Sequence, residues 1–244
     1  MILAIDNGNT RIKMAVFEQS NALELFASNL ENCGQDLRLI LTKHSSINTI
    51  VVSSVGSEKL DLILKEFETI KIVSISHESR FPFKNLYKTP TTLGIDRMVL
   101  AAGATLQFPN QNKLIIDAGT CVTYDFVTQK NQYLGGAISP GMRLRYKSLH
   151  DYTAKLPLLE TKKPNNAIGN STEESIHSGV INGLAKEIDG IINDFVAENQ
   201  NFIIILTGGD AIFLANRLKN TIFANPNFLL ESLNLLHIYN SNND

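Results

Sequence analysis

Residues 1–10 read Met1-Ile2-Leu3-Ala4-Ile5-Asp6-Asn7-Gly8-Asn9-Thr10, and the pattern returns at Leu114-Ile115-Ile116-Asp117-Ala118-Gly119-Thr120-Cys121. In each copy an apolar run of the kind found in buried strands is stopped by an aspartate, and a glycine then permits a tight turn. A second pair follows in the same order. Ile50-Val51-Val52-Ser53-Ser54-Val55-Gly56 resembles Ile203-Ile204-Ile205-Leu206-Thr207-Gly208-Gly209, both β-branched runs ending in a hydroxyl residue and glycine. One such pair is what short strands of any α/β protein look like, but two in register of order point to a duplicated fold. Past each aspartate another strand begins, Ile12 to Phe17 and Cys121 to Val127, so each glycine turn closes a hairpin. A P-loop turn feeds a helix instead, and neither GxxxxGK[ST] nor GxGxxG occurs anywhere, which removes the P-loop and Rossmann readings.

The chain has 244 residues, enough for one large domain or two small ones. Hydrophobic residues make up 43% and charged residues 19%, the balance of a folded globular protein rather than a disordered one. A net charge of −2 argues against a general nucleic-acid binder. The one basic cluster, Arg143, Arg145 and Lys147, reads as a solvated helix face. Cys33 and Cys121 have no CxxC spacing and no companion histidines, which argues against structural zinc. With Asp6 already inside a strand there is no room for a signal peptide, and Phe202 to Leu206 is too short to span a membrane, so a cytoplasmic location is expected.

Helices are expected at Met98 to Leu106, at Met142 to Lys155 and from Glu173 onward. In the last, Ile176, Val180, Leu184, Ile188, Ile191 and Phe195 form one apolar stripe, and Ser171-Thr172-Glu173-Glu174 is a capping box that starts it. Gly179 and Gly183 share a face of this helix. Each glycine costs about 1 kcal/mol against alanine, so the pair points to close packing, either within the chain or across a dimer interface. Residues between Pro157 and Asn170 read as a loop, and Phe228 to Asp244 carries no assignable motif.

Two opposed Asp-Gly-Thr hairpins suit a phosphate. Backbone N–H groups of a glycine turn donate to phosphate oxygens, Thr10 or Thr120 adds a hydroxyl, and Lys13 supplies a point charge. Asp6 and Asp117 suit Mg²⁺, directly or through water, while their ordinary alternative is to cap their own turns. Thr92-Leu93-Gly94-Ile95-Asp96-Arg97 supplies an acceptor side. Arg97 is shaped to clamp a carboxylate bidentately. Asp96 can accept a proton from a substrate hydroxyl or simply cap the helix that follows.

Taken together, Asp6-Asn7-Gly8-Asn9-Thr10-Arg11-Ile12-Lys13, Gly94-Ile95-Asp96-Arg97, Asp117-Ala118-Gly119-Thr120, Gly135-Gly136-Ala137-Ile138-Ser139-Pro140-Gly141 and Thr207-Gly208-Gly209 resemble, in order, the motifs of type III pantothenate kinase. That family belongs to the superfamily of acetate kinase, sugar kinases, heat-shock chaperone ATPases and actin. The resemblance implies an α/β, duplicated ribonuclease H-like (actin-like ATPase) fold, two similar halves around a central cleft. Residues 1–110 would form the N-terminal half, and 111–244 the C-terminal half with dimerisation helices. The activity implied is phosphorylation of pantothenate by ATP to 4′-phosphopantothenate, the first step of coenzyme A synthesis, by a homodimer that uses a divalent cation such as Mg²⁺ and needs neither nucleic acid nor membrane. Carried over by position, Asp6, Asn7, Gly8, Asn9, Thr10, Arg11, Ile12, Lys13 and Thr120 resemble nucleotide-binding residues. Asp117 resembles the ligand of a monovalent cation, K⁺ or NH₄⁺, in competition with the Mg²⁺ reading. Asp96 resembles the catalytic base. Tyr87, Gly94, Ile95, Asp96 and Arg97 resemble pantothenate contacts, and Thr172 one contributed near the dimer interface. Two alternatives stand beside this: a superfamily kinase acting on another small acid or a sugar, and a non-catalytic transcription accessory factor of the same family.

Overall fold

The computed structural model describes residues 1–8, 11–54, 58–67 and 69–243. It divides into two compact units. The first comprises Met1–Pro109, Asn131–Tyr133 and Asn227–Asp244; the second comprises Asn110–Lys130 and Leu134–Pro226.

In the first unit, β1 (Ile2–Asn7) pairs antiparallel with β2 (Ile12–Glu18), which pairs antiparallel with β3 (Asn21–Ser28). After α1 (Cys33–Lys43), β4 (Thr49–Ser54) runs parallel to β1. After α2 (Glu58–Lys65), β5 (Lys71–Ile75) runs parallel to β4. The sheet order is β3-β2-β1-β4-β5. Alternate residues of β1 and β2 point to opposite faces, and both faces are covered. Leu3, Ile5, Met14 and Val16 pack with Leu37 and Ile40 of α1 and Leu60 and Leu64 of α2. Ala4, Ala15, Phe17 and Val51 pack on the other side with α3 (Ile95–Gln107), through Val99 and Ala102, and with α8 (Phe228–Ser241), through Leu230, Leu233 and Leu236. Burial on both faces is why these strands read as continuous apolar runs.

The second unit repeats the plan. β7 (Asn112–Ala118) pairs antiparallel with β8 (Cys121–Val127), which neighbours β9 (Gln132–Pro140). After α4 (Met142–Asp151), α5 (Thr172–His177), a π-helical turn (Ser178–Asn182) and α6 (Gly183–Glu198), β10 (Phe202–Thr207) lies parallel to β7. After α7 (Ala211–Ala215), β11 (Phe223–Ala224) lies parallel to β10. The order β9-β8-β7-β10-β11 is that of the first sheet, element for element. The opening residues of β9, Gln132 and Tyr133, belong to the first unit, where they pair in parallel with β6 (Lys84–Asn85). The second core joins Leu114, Ile116, Val122, Tyr124, Ile204 and Leu206 of the sheet to Tyr146, Ile176, Val180, Leu184 and Ile188 of the helices.

Four expectations are corrected. The stretch from 228 does not stay with the second half: α8 covers the first sheet, occupying after β11 the place in the order that α3 occupies after β5. The helix from Glu173 is not one regular rod, because the π-helical turn interrupts it, although Ile176, Val180, Leu184, Ile188 and Phe195 are all buried. α3 starts three residues earlier than the apolar pattern indicated, so Asp96 and Arg97 lie in its first turn. Arg145 is not solvated but half-buried, donating to Ser139 Oγ at 2.9 Å and Glu187 at 2.5 Å.

Candidate active site

Within the first unit the register sets Asp6 between Lys13 on β2 and Ser53 on β4. Asp6 is 8% and Asn7 7% exposed, whereas Gly8 and Arg11 are exposed and Ile12 is buried. The hydroxyl of Ser53 is buried and makes no hydrogen bond among the described residues. Asn9 and Thr10, expected to contact phosphate, lie outside the described residues.

The segment expected to bind the acceptor is built on the N-terminus of α3. Pro90–Thr92 form a 3-10 turn, and Leu93 is fixed by a ring nitrogen of His77 donating to its carbonyl at 2.8 Å. Gly94 is the N-cap. Asp96 Oδ1 accepts the Arg97 backbone N–H at 2.8 Å, so this carboxylate satisfies one of the open donors of the first helical turn without being the cap. Arg97 is 6% exposed, with its guanidinium carbon 5.9 Å from the ring centroid of Tyr87. Tyr87 is held in turn by an edge contact with buried Tyr133 and by a backbone N–H donated to Asn85 Oδ1. Tyr87, Gly94, Ile95, Asp96 and Arg97 are thus one local assembly: a planar cation under an aromatic ring, next to a partly exposed carboxylate.

Within the second unit Asp117 takes the place of Asp6, set between Thr123 on β8 and Thr207 on β10. Both threonine hydroxyls are buried without a hydrogen bond among the described residues. The turn after Asp117 closes with Gly119 N–H donating to the Cys121 carbonyl at 2.9 Å, and Thr120 is exposed. Two glycine segments grip this turn. Gly141 donates its N–H to the Thr120 carbonyl at 3.0 Å, and a Cβ there would lie 2.1 Å from the Gly119 carbonyl oxygen. Gly208 has φ +94°, and a Cβ on it would lie 2.4 Å from both the Ala118 carbonyl oxygen and Asp117 Oδ1. The Gly135–Gly141 and Thr207–Gly209 segments therefore flank the turn that carries Asp117. Sequence reasoning missed Thr123, and it passed over Asp210, whose N–H donates to the Ala118 carbonyl at 3.0 Å. Burial raises the Asp210 carboxyl above its ordinary range, partly opposed by Arg143. The signal for Thr123 lay in strand register, and that for Asp210 in a backbone contact after β10; a single sequence prints neither.

Gly8 and Gly119 themselves are not in the left-handed region, contrary to the tight-turn argument. Neither position has a neighbour closer than 3.4 Å to a notional Cβ, so what glycine provides there is open space beside each aspartate. Thr172 is the first residue of α5, following Ser171, whose Oγ accepts the Glu174 N–H at 3.2 Å. It lines a depression of about 800 Å³ with Leu149, Leu156 and Gly179, and none of the Asp117 turn residues contributes to that wall. A Cβ on Gly179 or Gly183 would meet nothing within 4 Å, so no helix among the described residues uses the space they leave. No helix among the described residues is long and apolar enough to cross a membrane.

The chain is similar to proteins named type III pantothenate kinase along its whole length. It is 57% identical to the one from Flavobacterium johnsoniae, over all of both chains. It is 56% identical to that of Flavobacterium psychrophilum, over 98% of this chain and 99% of the relative. Among solved structures, it resembles a conserved Campylobacter jejuni protein described as of the Baf family of transcriptional activators. That match has a TM-score of 0.67 and 21% identity, covering 99% and 100% of the two chains. A ROK family glucokinase from Streptomyces griseus, solved with glucose and AMPPNP, aligns at TM-score 0.55 and 12% identity over 99% of each chain. These distant likenesses show the duplicated ribonuclease H-like fold, in agreement with the two identical strand orders. The family model described as type III pantothenate kinase matches residues 2–194, which hold both aspartate strands and the Gly94–Arg97 segment, and the chain belongs to that family.

Proposed function

We propose that this protein transfers the γ-phosphoryl group of ATP to the primary hydroxyl of pantothenate, giving 4′-phosphopantothenate and opening coenzyme A synthesis in the cytoplasm. The observation that carries this reading is the first turn of α3. A buried arginine stacked under Tyr87 offers its fork to the pantothenate carboxylate, and Asp96 on the same turn takes the proton from the hydroxyl. Phosphoryl transfer needs mainly positioning and charge stabilisation. Asp6, Asn7, Gly8, Asn9, Thr10, Arg11, Ile12 and Lys13 supply these to the nucleotide phosphates, and Thr120 is a further nucleotide contact. Thr172 contacts pantothenate, and the open face of Gly179 and Gly183 receives a second copy of the chain.

Asp117 with the hydroxyls of Thr123 and Thr207 is an all-oxygen donor set of low charge, which fits K⁺ or NH₄⁺ better than a second divalent ion. A divalent cation such as Mg²⁺ fits Asp6 together with phosphate oxygens. When bound, these ions neutralise charge on the transferring phosphate. Neither nucleic acid nor membrane enters the reading.

A coupled assay with ATP and pantothenate, with and without K⁺, tests it. Turnover that requires both pantothenate and K⁺ is expected. Activity on a sugar but not pantothenate would favour a different superfamily kinase, and no turnover with any acceptor would favour the non-catalytic reading.

A further inference from the structure

We propose that Tyr146 and His177 form a positioning clamp that fixes the loop between α4 and α5 as one wall of the depression lined by Thr172. This rests on the reading of Thr172 as a contact of the acceptor substrate. Residues 152–171 contain no helix or strand. A connection of that length inside a compact unit is ordinarily functional or disordered, and here it is tied down. Tyr146 on α4 and His177 at the end of α5 are 2% and 4% exposed, and the phenol oxygen lies 2.8 Å from His177 Nδ1. This bond joins the helices on either side of the loop and so closes its base.

Further ties follow along the helix. Ser178 Oγ, opening the π-helical turn, donates to the Ala167 carbonyl at 2.5 Å, and Asn165 Nδ2 donates to Glu174 Oε1 at 3.2 Å. Gly169 lies so close to α5 that a Cβ on it would sit 2.3 Å from the Ser175 nitrogen. π-helical turns recur at functional sites because the extra residue redirects side chains. In this case it follows directly on His177 and begins with Ser178. Leu156, Gly169, Asn170 and Ser171 of the loop line the depression, whereas Tyr146 and His177 do not. The pair therefore acts through the loop, as positioning residues.

Tyr146→Phe removes one oxygen and keeps the ring in the core. Loss of a buried hydrogen bond that sets the wall is expected to raise KM for pantothenate about tenfold, with kcat and KM for ATP within about twofold. His177→Ala is expected to do the same, His177→Asn to restore most of the wild-type KM by keeping an acceptor near the Nδ1 position, and the double variant to be no worse than either single one. Tryptic cleavage after exposed Lys162 is expected to quicken in Tyr146→Phe, a readout independent of turnover. If the core variants fail to fold, Ser178→Ala cuts the Ala167 tie from a partly buried position and is expected to raise the same KM. A lowered Tm with unchanged KM and unchanged proteolysis would overturn the clamp, as would equal losses in kcat and both KM values. A wild-type protein inactive on pantothenate, but with quickened cleavage in Tyr146→Phe, would overturn the substrate reading and leave the clamp standing.

Discussion

Gly94→Ala separates the placement of Asp96 from the integrity of the fold. Gly94 has φ −57° and ψ 135°, a conformation open to alanine. The unfolded-state gain of about 0.4–1 kcal/mol for such an exchange is roughly offset by the poorer fit of alanine at an N-cap, so little net change in stability is expected. The new Cβ, however, would lie 2.4 Å from Asp96 Oδ1, where ordinary contacts begin at 3.4 Å. The carboxylate must therefore move by about 1 Å, which breaks the 2.8 Å bond it accepts from the Arg97 N–H. The nearest neighbour of that Cβ in the main chain is not among the close contacts, so the strain falls on a side chain that can swing. A displacement of this size at a reacting group costs on the order of 100-fold in rate, equivalent to about 2.7 kcal/mol of transition-state stabilisation. Steady-state kinetics with saturating ATP and varied pantothenate, beside a thermal melt, give both numbers. A kcat down about 100-fold with little change in Tm is expected, with Asp96→Asn as the floor. A kcat within threefold of wild type would refute the reasoning, because the carboxylate would then be either elsewhere during catalysis or not the base.

Three other outcomes follow from the same geometry. Arg97→Ala removes a buried fork and its stack on Tyr87, so KM for pantothenate should rise about 30-fold or more while KM for ATP stays near wild type; equal losses of both, read by kinetics, would mean a folding defect. Gly208→Ala places a side chain at φ +94° and presses it on the Ala118 carbonyl and Asp117. Left-handed strain and overpacking together cost about 3 kcal/mol, or roughly 6–12 °C in Tm by calorimetry, and a shift under 2 °C would contradict the contact. For Asp210, burial raises the folded-state pKa above the unfolded value near 3.8. The native state thus binds this proton more tightly, and the stability linked to it is complete below 3.8 and lost as pH rises through the folded pKa. Asp210→Asn should therefore be more stable than wild type at pH 7, with the gap closing toward pH 4 in denaturant melts; a gap independent of pH would exclude the linkage.

Much of this was legible because buried strands carry their own signature. The runs before Asp6 and Asp117 are apolar on both faces since helices cover both, and that is what makes the duplication visible in a single sequence. Register is less visible. Aligning the second strand pair by residue type matches Ser54 with Thr207, whereas the ladders set Ser53 opposite Asp6 and Thr207 opposite Asp117, one residue away. A run of interchangeable β-branched residues has no internal mark to fix that phase. The placement of α8 was hidden for a related reason: Leu230, Leu233 and Leu236 announce a buried helix but not which sheet they cover. The Gly94–Arg97 segment was found by residue type, yet the roles of Gly94 as spacer and His77 as support depend on contacts 2 and 16 positions away.

The two aspartates meet different strand neighbours although the fold repeats around them. Strand neighbours on one face of a sheet stand about 5 Å apart, so the residues in register with each aspartate decide what charge it meets. Asp6 faces Lys13 and Ser53; Asp117 faces Thr123 and Thr207. A lysine beside Asp6 brings a positive charge to the end of β1, which suits that strand to anionic phosphate oxygens and leaves less negative potential for a resident ion. Two hydroxyls beside Asp117 add oxygen donors and no charge, so under the proposed reading the negative potential of that carboxylate would serve a cation. Exchanging the neighbours should exchange the preference. With Thr123→Lys the dependence of turnover on K⁺ should flatten, because the ammonium group replaces the ion, and a K⁺ dependence unchanged from wild type would show that the strand neighbours do not set the division of labour.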